Sequence, residues 1–121
     1  MVLVRGDKMK LNEYQKESRI FARYPHTGSN IVYTALALCG ESGEYAENIK
    51  KAIRDEGYLM GQLVDKISFE RREKAIDELG DVLWYVAGNA TELGITLEEV
   101  AKRNIKKLKH RKKYGKKLGS G

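Results

Sequence analysis

The sequence predicts an all-α protein, a bundle of about four main helices that is completed by oligomerisation. The 121 residues include one proline and are rich in Glu, Lys, Leu and Ala, which favour helices. Apolar residues recur at helical spacing in two long stretches. A single domain of this length builds a modest core, which is typical of subunits that bury further apolar surface against their own copies.

The first two helices follow from local start and stop signals. Asn12 and Gln15 resemble a capping box, so a first helix is expected from there to about residue 24, with Tyr14 and Phe21 on its inner face. The segment 24–30 contains Pro, Gly, Ser and Asn, which indicate a loop. A long second helix is expected after this loop, from about residue 31 to residue 54.

The third helix is expected to start at Ser68, a good N-terminal cap, and to stop near residue 93, just before Gly94. Two glycines in the segment 55–67 argue against a rigid helix there, and short turns are expected instead. Residues 1–10 are expected to be frayed and residues 115–121 to form a mobile tail. The chain is therefore interpreted as one domain.

A fourth helix is expected to start at a second capping box, Thr96 with Glu99, and to run to about residue 113. Its C-terminal part is strongly basic, because residues 102–117 hold ten Lys and Arg and no acid. The net charge of the chain is +6, so the remainder carries −4. An acidic body with a basic strip suits a polyphosphate held by metal on one side and by cations on the other. Nucleic-acid binding is the competing interpretation.

Two helices carry apolar stripes that are expected to face the core. On the second helix the stripe consists of Val32, Ala35, Cys39, Ala46, Ile49 and Ile53. On the third helix it consists of Ile76, Leu79, Val82, Leu83, Val86 and Ala90. The opposite side of the second helix carries Thr34, Ala37, Leu38 and Tyr45, so this helix is expected to be covered on two faces. Cys39, on the stripe, is expected to be a buried thiol and no nucleophile.

Two acidic signatures lie within these helices, Glu41-Ser42-Gly43-Glu44 and Glu78-Leu79-Gly80-Asp81. Residues three apart share one helix face, so two packed helices would bring four carboxylates around one small space. Anions held this closely raise one another's pKa unless cations neutralise them, and Mg²⁺ prefers carboxylates together with waters and phosphates. The sequence therefore predicts a Mg²⁺ site, with Mn²⁺ as the alternative ion. The less favoured interpretation is that the four acids are solvated on the surface.

These motifs resemble a known family. The stretches LALCGESGE (residues 36–44) and ELGDVLWY (residues 78–85) look like the acidic motifs of the MazG-like nucleoside triphosphate pyrophosphohydrolases, and LGITLEEV (residues 93–100) is similar to the start of that family's closing helix. The resemblance begins at Leu11 and departs only in a longer segment between the acidic motifs. It implies an all-α homodimer or homotetramer that cleaves a nucleoside triphosphate to the monophosphate and pyrophosphate with Mg²⁺. A phosphoribosyl-ATP pyrophosphohydrolase-like enzyme is a narrower alternative.

The resemblance also implies roles for single residues. The metal ligands and catalytic residues would be Glu41, Glu44, Glu78 and Asp81, with Glu44 or Glu78 as the general base. The positions that approach the phosphates would be Asn104, Lys107 and Arg111. Lys107 and Arg111 are four residues apart and share one helix face, so both would be able to hold phosphate oxygens. A basic face that is only solvated is an equal alternative to phosphate binding. Tyr85, beside the acids, is expected to reach the ligand or to cover the site.

Other features are expected to be structural. Trp84 is predicted to pack at a subunit contact in preference to stacking on a base, and Lys50, Lys51 and Arg54 are expected to be surface cations. The basic strip contains a single aromatic residue, Tyr114, so a nucleic-acid partner is not expected. The sequence shows no targeting segment and no stretch of the length that spans a membrane, and a cytoplasmic protein without a membrane partner is expected.

Overall fold

The computed structural model describes residues 8–56 and 67–115, which form four α-helices. Helix α1 spans Leu11–Arg19, α2 spans Ile31–Glu56, α3 spans Phe69–Glu92 and α4 spans Leu97–Lys113. The all-α prediction is confirmed. The predicted turns at 57–66 and most of the predicted frayed and mobile ends lie outside the described residues. Among the described helices, none is long and apolar enough to cross a membrane.

Helices α3 and α4 begin and end close to the predicted positions because their termini are encoded locally. Ser68 Oγ accepts a hydrogen bond at 3.3 Å from the backbone N–H three residues later, and Thr96 Oγ1 accepts the equivalent bond at 3.1 Å. Gly94 has a φ of +71°, the left-handed conformation that ends a helix at little cost for glycine. The second capping box is only half formed, because the Glu99 side chain accepts from Arg103 Nε at 3.0 Å instead.

Helix α1 is shorter than predicted. It ends at Arg19, five residues before the predicted end, so Phe21 lies beyond the helix and is exposed, whereas Tyr14 is partly buried as expected. The acceptor at its N-terminus is Glu13, whose carboxylate takes a hydrogen bond from Lys10 N at 3.4 Å. The capping box predicted at Asn12 is therefore wrong.

Asn12 and Gln15 cap a different helix. Leu97 N donates to Gln15 Oε1 at 2.7 Å, and Glu98 N donates to Asn12 Oδ1 at 3.1 Å. Both donors belong to the first turn of α4, whose amides have no partner within the helix. These two side chains therefore dock α1 onto the start of α4, a contact between distant parts of the chain that local spacing does not reveal.

The predicted core stripes of α2 and α3 are largely exposed in the single chain. On α2 the exposed members are Val32, Ala35, Cys39 and Ala46, and on α3 they are Ile76, Leu79 and Leu83. Helix α3 packs instead against the second face of α2, where Thr34 is buried and Tyr45 is partly buried. Because α2 is apolar on two faces, its periodicity does not show which face meets α3. The prediction that Cys39 is a buried thiol is also wrong for the single chain.

Trp84 makes contacts within its own chain, and its place at a subunit contact stays a prediction. Its Nε1 donates to Ser18 O at 3.1 Å, and the Arg19 guanidinium lies 5.6 Å from its ring centre. The ring also meets Tyr85 edge to face at 4.8 Å. Trp84 therefore joins α3 to α1.

Candidate active site

Two polar contacts fix the alignment of α2 against α3. Near the start of α2, the buried Thr34 donates from Oγ1 to Asn89 Oδ1 at 3.1 Å, and Asn89 Nδ2 donates back to Thr34 O at 2.9 Å. Farther along, Asn48 Nδ2 donates to Arg71 O at 3.3 Å, and Arg71 Nη1 donates to Asn48 O at 3.3 Å. These pairs show that the two helices run antiparallel. Glu41 lies seven residues from each contact on α2, at the midpoint of the aligned segment.

The corresponding midpoint of α3 is residue 80, between Glu78 and Asp81, so the two acidic signatures face each other. Glu78 is only 8 % exposed, Glu41 is partly buried, and Glu44 and Asp81 are exposed. The pKa of Glu41 is raised above its ordinary value, first by burial and then by the negative charges of the other three acids, with Glu44 the strongest. Glu41 therefore lies within electrostatic reach of each of the other three acids.

The chemistry of this cluster fits a divalent cation. Glu41 Oε2 is buried and has no hydrogen-bond partner among the described residues. A buried, unpaired carboxylate oxygen is costly, and a hard cation would satisfy it. The acids do not form a closed cage, since within residues 8–56 and 67–115 no three His, Cys, Asp or Glu side chains lie close enough to hold one ion.

A cleft of about 420 Å³ adjoins the acids and contains two lysines. It is lined by Gly40, Gly43, Glu44, Glu47, Asn48, Lys51, Lys74 and Glu78. Lys51, expected at the surface, is partly buried, and its Nζ lies 4.0 Å from a Glu47 oxygen. Lys51 follows Glu44 by seven residues and Lys74 precedes Glu78 by four, so each lysine shares a helix face with an acid. That spacing is the sequence signal for their position in the cleft.

Tyrosines from three parts of the chain flank the cluster. The pKa of Tyr85 is raised by burial, then by neighbouring Tyr33, by Glu41 and by Asp81, so Tyr85 lies beside the acids as predicted. The pKa of Tyr14, on α1, is raised by burial and by the charge of Asp81. Tyr33 and Tyr14 were not among the predicted site residues, because their approach depends on how α1 and the start of α2 pack.

The predicted phosphate-binding residues of α4 are not joined to the acids in the single chain. Asn104 and Lys107 are exposed and Arg111 is partly buried. Across the described part of the chain, no hydrogen bond or ion pair links these side chains to the four carboxylates. Helix α4 contacts α1 and α3, and its buried residue is Leu97 in the first turn.

Comparisons with known proteins identify the family to which the chain belongs. A family model described as the MazG nucleotide pyrophosphohydrolase domain matches residues 31–115, the span that holds both acidic signatures. The chain is 37 % identical over 118 residues to the Gene 37 protein of Mycobacterium phage L5, and the alignment covers 93 % of this chain and 97 % of that protein. No solved structure matches the chain. The chain therefore belongs to the family of MazG nucleotide pyrophosphohydrolase domains.

Proposed function

We propose that the protein is a Mg²⁺-dependent nucleoside triphosphate pyrophosphohydrolase that releases a nucleoside monophosphate and pyrophosphate. The observation that carries this proposal is the convergence of three further acids on Glu41, whose buried Oε2 lacks a hydrogen-bond partner among the described residues. Family membership supports nucleotides as the substrate class. Mn²⁺ would be able to replace Mg²⁺, because both ions accept carboxylate oxygens.

Each wall of the site would contribute to the reaction. Glu41, Glu44, Glu78 and Asp81 would hold the cation, which when bound neutralises the acids and the charge on the leaving pyrophosphate. Glu44, which is exposed, or Glu78, which is buried, would accept the proton of the attacking water. Lys51 and Lys74 line the same cleft as these two acids and would hold phosphate oxygens. The partly buried Tyr85 side chain would cover one side of the site.

We also propose that the protein functions as a homodimer or homotetramer. The support is the set of apolar residues on α2 and α3 that are exposed in the described part of the chain. Asn104, Lys107 and Arg111 remain proposed phosphate ligands. An assembly would allow these residues of one chain to approach the acids of another.

A panel of nucleoside triphosphates tests the proposed reaction. The panel would include canonical and modified bases, ribose and deoxyribose forms, and phosphoribosyl-ATP, with pyrophosphate release as the readout. We expect release with Mg²⁺ and none after chelation. Glu41→Gln or Asp81→Asn should lower kcat/KM at least about 100-fold, because each removes a charge that neutralises the cation.

Glu99→Gln is the matched control. It removes the same charge from an exposed ion pair with Arg103 on α4 and should leave the activity unchanged. Full activity in both acidic-site variants, or release of pyrophosphate in the presence of a chelator, would reject the proposed roles of the acids.

A further inference from the structure

Glu92, the last residue of α3, holds the loop formed by residues 24–30. Its Oε1 accepts hydrogen bonds from the Tyr24 hydroxyl and from Gly28 N, the latter at 2.9 Å. Its Oε2 accepts from Asn30 N at 3.2 Å. The Tyr24 bond in particular holds the pKa of Glu92 below its ordinary value. One carboxylate therefore ties three points of the loop to the end of α3.

The loop in turn sets the start of α2. Asn30 Oδ1 accepts from Tyr33 N at 3.1 Å, which caps the first turn of the helix, and Asn30 Nδ2 donates to Pro25 O at 2.8 Å. The loop also contains His26 with a φ of 53° and Gly28 with a φ of 97°, so its shape depends on stabilising contacts from outside. The bonds to Glu92 provide such contacts.

The ring of Tyr24 packs against the ring of Tyr33 and so helps to fix its position. The Tyr24 side chain is buried, and its ring stacks on the Tyr33 ring with centres 5.1 Å apart and planes 11° apart. Arg19 Nη2 donates to the Tyr24 hydroxyl at 2.6 Å, and the Arg19 guanidinium lies 5.4 Å from the centre of the Tyr24 ring. Arg19 and Glu92 therefore fix the Tyr24 ring, and the stacking fixes Tyr33.

Tyr33 lies between this network and the acidic cluster. It is 39 % exposed, and the adjacent Thr34 bonds to Asn89, whose Nδ2 donates to Tyr85 O at 2.7 Å. The loop network therefore ends beside Tyr85, whose pKa is raised by burial, then by Tyr33 and by Glu41. An exposed aromatic ring at that position offers a stacking surface for a planar base.

We propose that Glu92 is a positioning residue that holds the Tyr33 ring at the edge of the acidic site and so sets the affinity for the nucleotide. This inference rests on the proposed function. Glu92 acts through Tyr24 and the loop and does not contact the reacting phosphates, so its removal should weaken substrate binding and leave the chemical step intact.

Glu92→Gln tests this role. A glutamine side chain has one acceptor oxygen and a donor NH₂ group, so it cannot accept from Tyr24, Gly28 and Asn30 together. In amide hydrogen exchange, at least one of the Gly28 and Asn30 amides should lose protection. With Mg²⁺ and the best substrate of the panel, KM should rise about tenfold while kcat stays within about twofold of the wild-type value.

Glu99→Gln serves again as the control, and it should change neither the loop amides nor KM. A KM of Glu92→Gln equal to that of the wild type, or a reduced kcat at constant KM, would overturn the positioning role. Such a result would leave the proposed reaction standing.

A binding titration separates the two proposals. Trp84 is the single tryptophan of the chain and meets Tyr85 edge to face, so its fluorescence can follow the addition of each triphosphate in the panel. Wild-type protein that binds a triphosphate with Mg²⁺ but never hydrolyses it would contradict the proposed function. Weaker binding by Glu92→Gln would then still support the positioning role, and equal binding would overturn it. If the wild type binds no triphosphate, both proposals fall.

Discussion

The surroundings of Glu41 oppose the ionisation of its carboxyl group. Burial raises its pKa, and the charges of Glu44, Asp81 and Glu78 raise it further. Without a cation, the ionised Glu41 therefore destabilises the folded protein. This cost is absent well below the ordinary value of 4.5, where the carboxyl is protonated in both the folded and unfolded states, and it grows as the pH rises through the raised folded-state pKa.

Replacing Glu41 with glutamine should therefore stabilise the metal-free protein. In the presence of a chelator at neutral pH, the melting temperature of Glu41→Gln should exceed that of the wild type by about 2–5 °C. The difference should shrink as the pH falls through the raised pKa of Glu41. Adding Mg²⁺ should stabilise the wild type more than the variant. If the variant melts below the wild type in the chelator at neutral pH, the ionised Glu41 does not destabilise the metal-free folded protein.

Helices α2 and α3 depend on the buried bond between Thr34 and Asn89 for their alignment. Thr34→Val keeps the shape of the side chain but leaves Asn89 Oδ1 without this donor, so the free energy of unfolding should fall by about 1–3 kcal/mol. Chemical denaturation measures this change, and a double-mutant cycle with Asn89→Leu isolates the coupling between the two side chains. A coupling energy near zero would mean that the pair does not fix the helix alignment.

At the scale of single elements, the sequence predicted what is encoded locally. The ends of α3 and α4 follow from Ser68, Gly94 and Thr96, whose partners lie within one helical turn. The capping of α4 by Gln15 depends on a contact between distant segments, which local spacing does not specify.

The candidate site also combines residues that local spacing predicts with residues whose position depends on distant contacts. Spacing within each helix placed Glu41 and Glu44 on one face and Glu78 and Asp81 on another, before any packing was known. The approach of Tyr33 to this cluster depends on the loop, on Tyr24 and on Glu92, and no periodic pattern carries that information.

At the scale of the whole molecule, the described residues leave much apolar surface exposed. Their buried apolar side chains are mostly alanines, whereas Val32, Ile76 and Leu79 are exposed. Helical periodicity identified these stripes as surfaces to be covered, but it could not distinguish contact with the same chain from contact with another copy.

Sedimentation should therefore show a dimer or tetramer for the wild type. Leu36 lies one helical turn after Val32, beside the exposed stripe of α2, and is 69 % exposed, and Phe21, beyond the end of α1, is 71 % exposed. Leu36→Glu should shift the protein to the mass of one chain, because a buried charge at an apolar interface is strongly unfavourable. Phe21→Glu, with similar exposure and outside the stripes of α2 and α3, should retain the assembly. A monomeric wild type, or an intact assembly in Leu36→Glu, would show that this part of α2 is not a subunit interface.

Calorimetric titration with Mg²⁺ tests most directly whether the four carboxylates form one cation site. The wild type should bind Mg²⁺ with a saturable isotherm. The affinity should fall about tenfold or more in Glu41→Gln and in Asp81→Asn, because each loses one ligand charge, and should be unchanged in Glu99→Gln. Absence of saturable binding to the wild type, or equal affinity in all four proteins, would contradict a shared metal site.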